Sequence, residues 1–438
     1  MPFKRFFGRA DEPAPPPPPG DEEDLELDVE PEAALAEDEV DRDWLDRAAA
    51  VIPGGSSTGS KRPRALYGDE LPPAPGHFTS AQGCRLVTGS GRTLIDCTMA
   101  LGSVAIGYAD EAVSRAVISA VAAGHVAGLA ATAEVELAER LCEVIPCAEQ
   151  VRFLKSGGEA VAAALRLARA ATGRDTVIGA GYFGWQDGWS TGRGIPTRAS
   201  ADFVPVPFDD VAALERAAAA AGGALAAIIL EPVVHALPSP AWIAAARRLC
   251  DARGAVFILD EMKTGFRLAT GGYQEYAGVE PDLAVFGKAM ANGFPLAAVV
   301  GRAGVMEAER ETWISSTLAG ESVGLAAAGA VLDIHAETDV GEALGRVGGA
   351  MRASVEAAVR AAGVAGVRVT GIDPMWALEF DDAARQQRFL AHAVRHGVLF
   401  KRGAYNFASL AHDDDATLLA IEQAASSALV AMLEDEGR

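Results

Sequence analysis

Between about residues 150 and 337 the chain alternates short apolar runs with longer stretches in which apolar residues return every three or four positions. An unbroken apolar run of four to six residues is the pattern of a strand buried on both faces, and the three-to-four period is that of an amphipathic helix. Strands are therefore predicted at 150–154, 176–179, 203–205, 226–230, 256–259 and 282–286, and helices at 159–172, 240–253 and 322–337. Buried strands separated by helices predict an α/β fold with a mostly parallel central sheet covered on both faces. Upstream, 85–87 and 93–96 flank Gly89-Ser90-Gly91 and predict a hairpin. Residues 44–51 predict a short helix stopped by Pro53-Gly54-Gly55, followed by a polar loop over 56–64. From about 331 onward, helices alternate with short strands such as 367–370 and 377–380, the pattern of a smaller α+β domain, to which N-terminal segments are also expected to contribute.

The first 40 residues break the pattern. A Pro15–Pro19 run and an acidic block over 21–39 hold too little apolar surface to offset chain entropy, so 1–40 is expected to be a disordered acidic, Pro-rich tail. The organisation expected after it is an N-terminal segment 41–80, a large domain 81–330 and a C-terminal small domain 331–438. Phe3, Phe6 and Phe7 stand among basic residues without an apolar stretch behind them, which is not the pattern of a secretory signal. Of the net charge of −22, residues 1–43 supply −11, from fifteen acidic against four basic residues. What remains is ordinary solubility charge, with no basic nucleic-acid footprint. The longest apolar runs, such as 224–230, are too short to span a bilayer. Five cysteines, an odd number with no CxxC pair, read as reduced thiols, and a cytoplasmic protein without nucleic-acid or membrane partners is expected. His392 and His396 share one helical face but lack an accompanying carboxylate motif, so they read as a surface pair and no metal is expected.

Four positions at strand ends could carry chemistry, and in parallel α/β sheets ligands bind outside the carboxyl ends of the strands. Ser156-Gly157-Gly158 precedes a helix, where free backbone N–H groups can hold a phosphate; simple helix capping is the competing reading. Asp260 ends an apolar strand, and such a carboxylate either caps the next turn or faces a cationic ring nitrogen. Lys288 follows another apolar strand and is set among Gly287, Ala289, Ala291 and Gly293, where an amine of lowered pKa can condense with carbonyls. Tyr182-Phe183-Gly184-Trp185 is either core packing or a platform for a planar ring. A phosphate cradle, a carboxylate for a pyridinium, an amine and an aromatic platform are together the parts that a pyridoxal 5′-phosphate site needs.

With these residues in place, the chain from about Asp46 to Glu422 resembles the class III aminotransferases of PLP fold type I, in the branch of glutamate-1-semialdehyde 2,1-aminomutase and its aminotransferase relatives. Ser156-Gly157-Gly158-Glu159-Ala160 is similar to the family's Ser-Gly-Thr-Glu-Ala phosphate loop, with Gly158 in place of Thr. Tyr182-Phe183-Gly184 stands for Tyr-His-Gly, Glu231-Pro232 for a family Glu-Pro, and 259–267 (LDEMKTGFR) for Asp-Glu-Val-x-Thr-Gly-Phe-Arg. The resemblance implies a Schiff base on Lys288, Asp260 as partner of the pyridinium, Met262 packed behind the ring and Tyr182 stacked on it. Phe183 and Glu231 complete the cofactor shell. Thr317 is implied to reach the phosphate of the neighbouring subunit's cofactor, which requires a homodimer with shared sites.

The expected reaction is ping-pong transfer of an amino group from an amine or amino acid to a keto acid or aldehyde, with Lys288 moving the proton. Two alternatives are intramolecular transfer of the aminomutase type and a non-catalytic protein that keeps the fold for binding. Intact Lys288 and Asp260 speak against the second of these. Against the mutase, Ala404 falls where its carboxyl-terminal segment has a glutamate, in register with Ser409-Leu410-Ala411-His412. Lys61, Arg62, Arg64, Lys401 and Arg402 are candidates for a substrate carboxylate, and the donor and acceptor are not legible.

Overall fold

The computed structural model describes residues 31–68, 74–403 and 405–436. The expectation for residues 1–30 and the aligned position of Ala404 lie outside them.

Three antiparallel strands come first: β1 (Phe78–Gln82), β2 (Arg85–Thr88) and β3 (Thr93–Asp96). The central sheet follows, built from β4 (Gln150–Leu154), β5 (Thr176–Ala180), β6 (Phe203–Pro205), β7 (Leu225–Leu230), β8 (Val256–Asp260), β9 (Leu283–Phe286) and β10 (Ala297–Gly301). Its seven strands are ordered β4-β10-β9-β8-β7-β5-β6, and all neighbouring pairs are parallel except those of β10, which is antiparallel to both β4 and β9. Every residue of β7, β8, β9 and β10 is buried, which is why these strands read as unbroken apolar runs. The expected mostly parallel central sheet is present. β10 was not anticipated, since Ala-Ala-Val-Val-Gly is short and close behind a Gly- and Pro-containing loop.

Helix ends follow their capping residues. In Pro240–Arg253, Ser239 Oγ accepts from Trp242 N, Pro240 opens the first turn and Gly254 closes the helix in the left-handed region at φ 59°. These local signals account for the agreement with the expected 240–253.

A small domain is formed by β11 (Val367–Ile372), β12 (Met375–Phe380), β13 (Val398–Leu399) and β14 (Asn406–Phe407), with helices Val340–Ala362, Ala383–Arg395 and Asp415–Glu436 packed together. β11, β12 and β14 form one sheet, whereas β13 pairs in parallel with β3 and completes a four-stranded sheet with β1 and β2. β1 to β3 thus pair with the C-terminal strand β13, and the N-terminal contribution expected to the smaller domain runs past residue 81 to Asp96. The helix Asp415–Glu436 has a mean hydropathy of 1.5 and is long and apolar enough, by length and composition alone, to cross a membrane. Its Ile421, Ala425, Leu429 and Met432 are instead buried in the small domain.

A second correction concerns the tail. Disorder was expected through residue 40 and a helix from 44, yet one helix spans Pro31–Val51. The acidic residues that argued against structure are what fasten it: Arg92, beside the hairpin turn, pairs with Glu37 at 3.1 Å, Asp38 at 2.8 Å and Asp41 at 3.0 Å. Trp44 covers Gly89, where a Cβ would lie 2.5 Å from its ring.

Candidate functional site

The strand ends bring the expected residues together. Met262, in the turn after β8, fills the space between two glycines from other motifs. A Cβ on Gly157 would lie 2.9 Å from its Sδ, and one on Gly287 would lie 2.7 Å from it. The phosphate-type loop, the carboxylate segment and the lysine segment therefore meet at one thioether.

Asp260 is almost fully buried and its Oδ1 accepts from Met262 N at 3.0 Å. Burial raises its pKa, Glu231 adds to the rise, and the Met262 N–H, Lys288 and Lys263 oppose it. Lys288 follows β9 and Gly287 in a left-handed conformation, φ 47°, which for a non-glycine residue is strained. Burial lowers its pKa, and the nearby Asp260 pulls the other way. Asn292, at the end of the same turn, accepts from Ala105 N at 3.0 Å and Ile106 N at 3.1 Å and donates to Gly107 O at 2.9 Å. This pins the lysine loop to residues 105–107, a few positions after a second strained stretch, Met99-Ala100-Leu101, whose φ values are 41°, 50° and 61°.

The other expected residues divide. Ser156 spends its polar groups on a capping box: its Oγ accepts from Glu159 N at 3.3 Å and donates to Glu159 Oε2 at 3.1 Å, and its N–H donates to Glu159 Oε2 at 2.9 Å. The capping reading thus describes its side chain, and the backbone N–H groups of Gly157 and Gly158 are the ones left at the helix start. Tyr182 is 74 % exposed, with its N–H donating to Glu231 Oε2 at 3.0 Å. Phe183 does not join it. Its ring is buried edge-on against Phe203, 6.0 Å between centroids, so it packs behind the platform. Thr317 is also apart from the group: it lies on an exposed loop bordering a cleft of about 450 Å³ with residues 124–131, and Lys288, Asp260 and Met262 do not border that cleft.

Two residues were missed. Lys263 pairs with Glu231 at 2.6 Å and places its ammonium 4.2 Å from the centre of the Tyr405 ring. Burial works against its charge, but Glu231 and Tyr405 outweigh burial and leave its pKa above the ordinary lysine range. Arg267 is fully buried and bonds only carbonyls at short range, Ala408 O at 2.8 Å and Gly102 O at 3.0 Å; burial lowers its pKa to about 10. It bolts the strained stretch to the small domain. Of the candidates for a substrate carboxylate, Arg62 donates to Ser56 O, Arg402 to Arg64 O, and buried Lys401 to Arg402 O at 3.3 Å. Lys61 borders an apolar cavity of about 170 Å³ that Ala100, Leu101 and Tyr108 also line. His392 bonds Asp435 at 2.8 Å, and among the described residues no group of three or more His, Cys, Asp or Glu side chains is gathered for a metal.

The chain is similar to known proteins. The family model described as Aminotransferase class-III matches residues 69–185 and 201–415. A glutamate-1-semialdehyde 2,1-aminomutase of Sorangium cellulosum is 36 % identical over 393 residues, 82 % of this chain and 88 % of that protein. A 2′-deamino-2′-hydroxyneamine transaminase of Streptomyces kanamyceticus is 35 % identical over 353 residues, 78 % of this chain and 89 % of that one. The FumI protein of Sphingopyxis sp. MTA144, solved in its PLP internal aldimine form, superposes with a TM-score of 0.85 at 28 % identity, covering 91 % of this chain and 98 % of that one.

Proposed function

The chain belongs to the class-III aminotransferases and is a pyridoxal-phosphate-dependent transaminase, and from that premise we propose that Lys288 carries the cofactor and moves the proton, with Asp260 as its electrostatic partner across the ring. The observation that carries the assignment is the meeting of Gly157, Met262 and Gly287 at one point beside Asp260 and Lys288. Pyridoxal phosphate, when bound, supplies an aldehyde that condenses with amines and a ring that absorbs carbanion charge. Lys288 is suited to transfer a proton between the donor's α-carbon and the cofactor's C4′, because burial favours its free-base form. The rise in Asp260's pKa would be reversed by a cationic ring nitrogen, and the carboxylate would in turn keep that nitrogen protonated. Met262 and Tyr182 would hold the two faces of the ring, and Gly157 and Gly158 would offer backbone N–H groups to the phosphate.

Borohydride treatment of the purified protein should fix the cofactor on the peptide bearing Lys288, and Lys288→Ala should keep the fold while losing turnover by several orders of magnitude. A donor amine alone should change the visible spectrum, and a separate keto acid or aldehyde should restore it. Label on another lysine would overturn the assignment. Isomerisation of glutamate-1-semialdehyde without exchange into added keto acids would favour the mutase reading.

The same reading extends to a homodimer. Leu129, Trp313 and Trp185 are each more than three-quarters exposed; Leu129 lines the Thr317 cleft and Trp313 directly precedes a stretch that borders it. A second copy seated there would cover them and bring its own Thr317 to the phosphate. A cytoplasmic location without nucleic-acid or membrane partners belongs to the same proposal, supported by the acidic charge and the free cysteines.

A further inference from the structure

Gly158 stands where the similar phosphate loops carry threonine, and the chain gives it no conformational reason to be glycine. It sits in the first turn of the helix Gly157–Thr172, away from the left-handed region, where glycine is a poorer helix former than alanine. The reason is space. A Cβ at Gly158 would overlap both Nε2 and Oε1 of Gln186, with Nε2 the nearer. The same carboxamide also lies against Gly184, a left-handed glycine at φ 100° whose Cβ would lie 2.5 Å from Oε1. Two glycines from two motifs, one before a helix and one in the aromatic segment, leave room for one side chain. Gln186 Oε1 is buried there without a hydrogen-bond partner, an unfavourable state that an apolar side chain would avoid. Meanwhile Ser156 has committed its hydroxyl and N–H to Glu159. The loop has thus lost one hydroxyl by substitution and another by capping.

We propose that Gln186 is a cofactor-phosphate ligand, its carboxamide donating from the place that a threonine hydroxyl at position 158 would occupy. The inference rests on the proposed seat of the phosphate at Gly157 and Gly158. Its amide nitrogen adds a donor beside those two N–H groups, and a neutral amide can do so without the proton that a hydroxyl must orient.

The test compares pyridoxal 5′-phosphate with pyridoxal, which lacks the phosphate, by equilibrium binding to apoprotein prepared from the holoenzyme. Gln186→Ala should weaken the phosphorylated cofactor by roughly tenfold to a hundredfold, the range for a hydrogen bond to a charged acceptor, and leave pyridoxal unchanged. Gly158→Thr alone should also weaken it, because the new side chain collides with Gln186. Together, Gly158→Thr and Gln186→Ala should restore most of the affinity, which also shows that the fold tolerates both changes. Equal weakening of both ligands by Gln186→Ala, or full retention of the phosphorylated cofactor by Gln186→Ala, would overturn the role of Gln186. If the unaltered protein itself bound pyridoxal as tightly as its phosphate, the seat of the phosphate would be wrong and the inference would go with it.

Discussion

Lys263 and Glu231 bring opposite charges into a nearly closed space between the ends of β5, β7 and β8, with side chains 12 % and 7 % exposed. Taking both out of water is costly, and what holds them is their 2.6 Å contact, the Tyr182 N–H on Glu231 and the Tyr405 ring beneath the ammonium. Lys263→Met leaves Glu231 buried without its cation and should lower stability by about 3 kcal/mol in denaturant unfolding. Adding Glu231→Gln should return most of that. A loss under about 1 kcal/mol for the single variant would mean that the pair is screened by solvent. Single residues also mark how far the sequence could be read. Asp260 and Lys288 stand out because each breaks an apolar run at its end, a signal carried by the chain itself. Lys263 and Gln186 give no such signal: one reads as a surface lysine, the other as a polar loop residue. Their meaning comes from Glu231 and Gly158, partners that only folding brings near.

Elements were legible where local chemistry fixes them. β4, β6 and the helices Pro240–Arg253 and Ser322–Glu337 fall where the periodicity and caps put them. The first half of the helix Pro31–Val51 was missed because its acidic stretch, read alone, offers too little apolar surface, and its counter-charge, Arg92, lies on the other side of a hairpin turn. That contrast is testable. Asp41 is 1 % exposed, and Arg92→Ala would remove its cation and leave it the Ser90 hydroxyl at 3.1 Å. The variant should expose the helix to limited proteolysis within residues 31–51 while the cofactor stays bound. If the helix remained protected, Trp44 on Gly89 would be the sufficient anchor.

For the whole molecule, the proposed dimer draws its support from the apolar groups around the Thr317 cleft. Leu129 at 87 % and Trp313 at 78 % exposure are unusual on a free surface, and burying such side chains stabilises by about 1.5–3 kcal/mol each. Sedimentation should give a dimer, and Leu129→Glu with Trp313→Glu should give monomers that bind the cofactor more weakly. A stable monomer of the unaltered chain with full affinity would contradict shared sites. The pairing of β13 with β3 has a consequence of another kind. Ile95 and Val398 are partners about 300 positions apart. At roughly 5–20 residues per second of synthesis, β3 waits about 15–60 seconds for its neighbour. During that interval the growing chain carries Leu94 and Ile95 on an open strand edge. The tempo of translation therefore sets how long this protein is exposed to wrong partners before it can close.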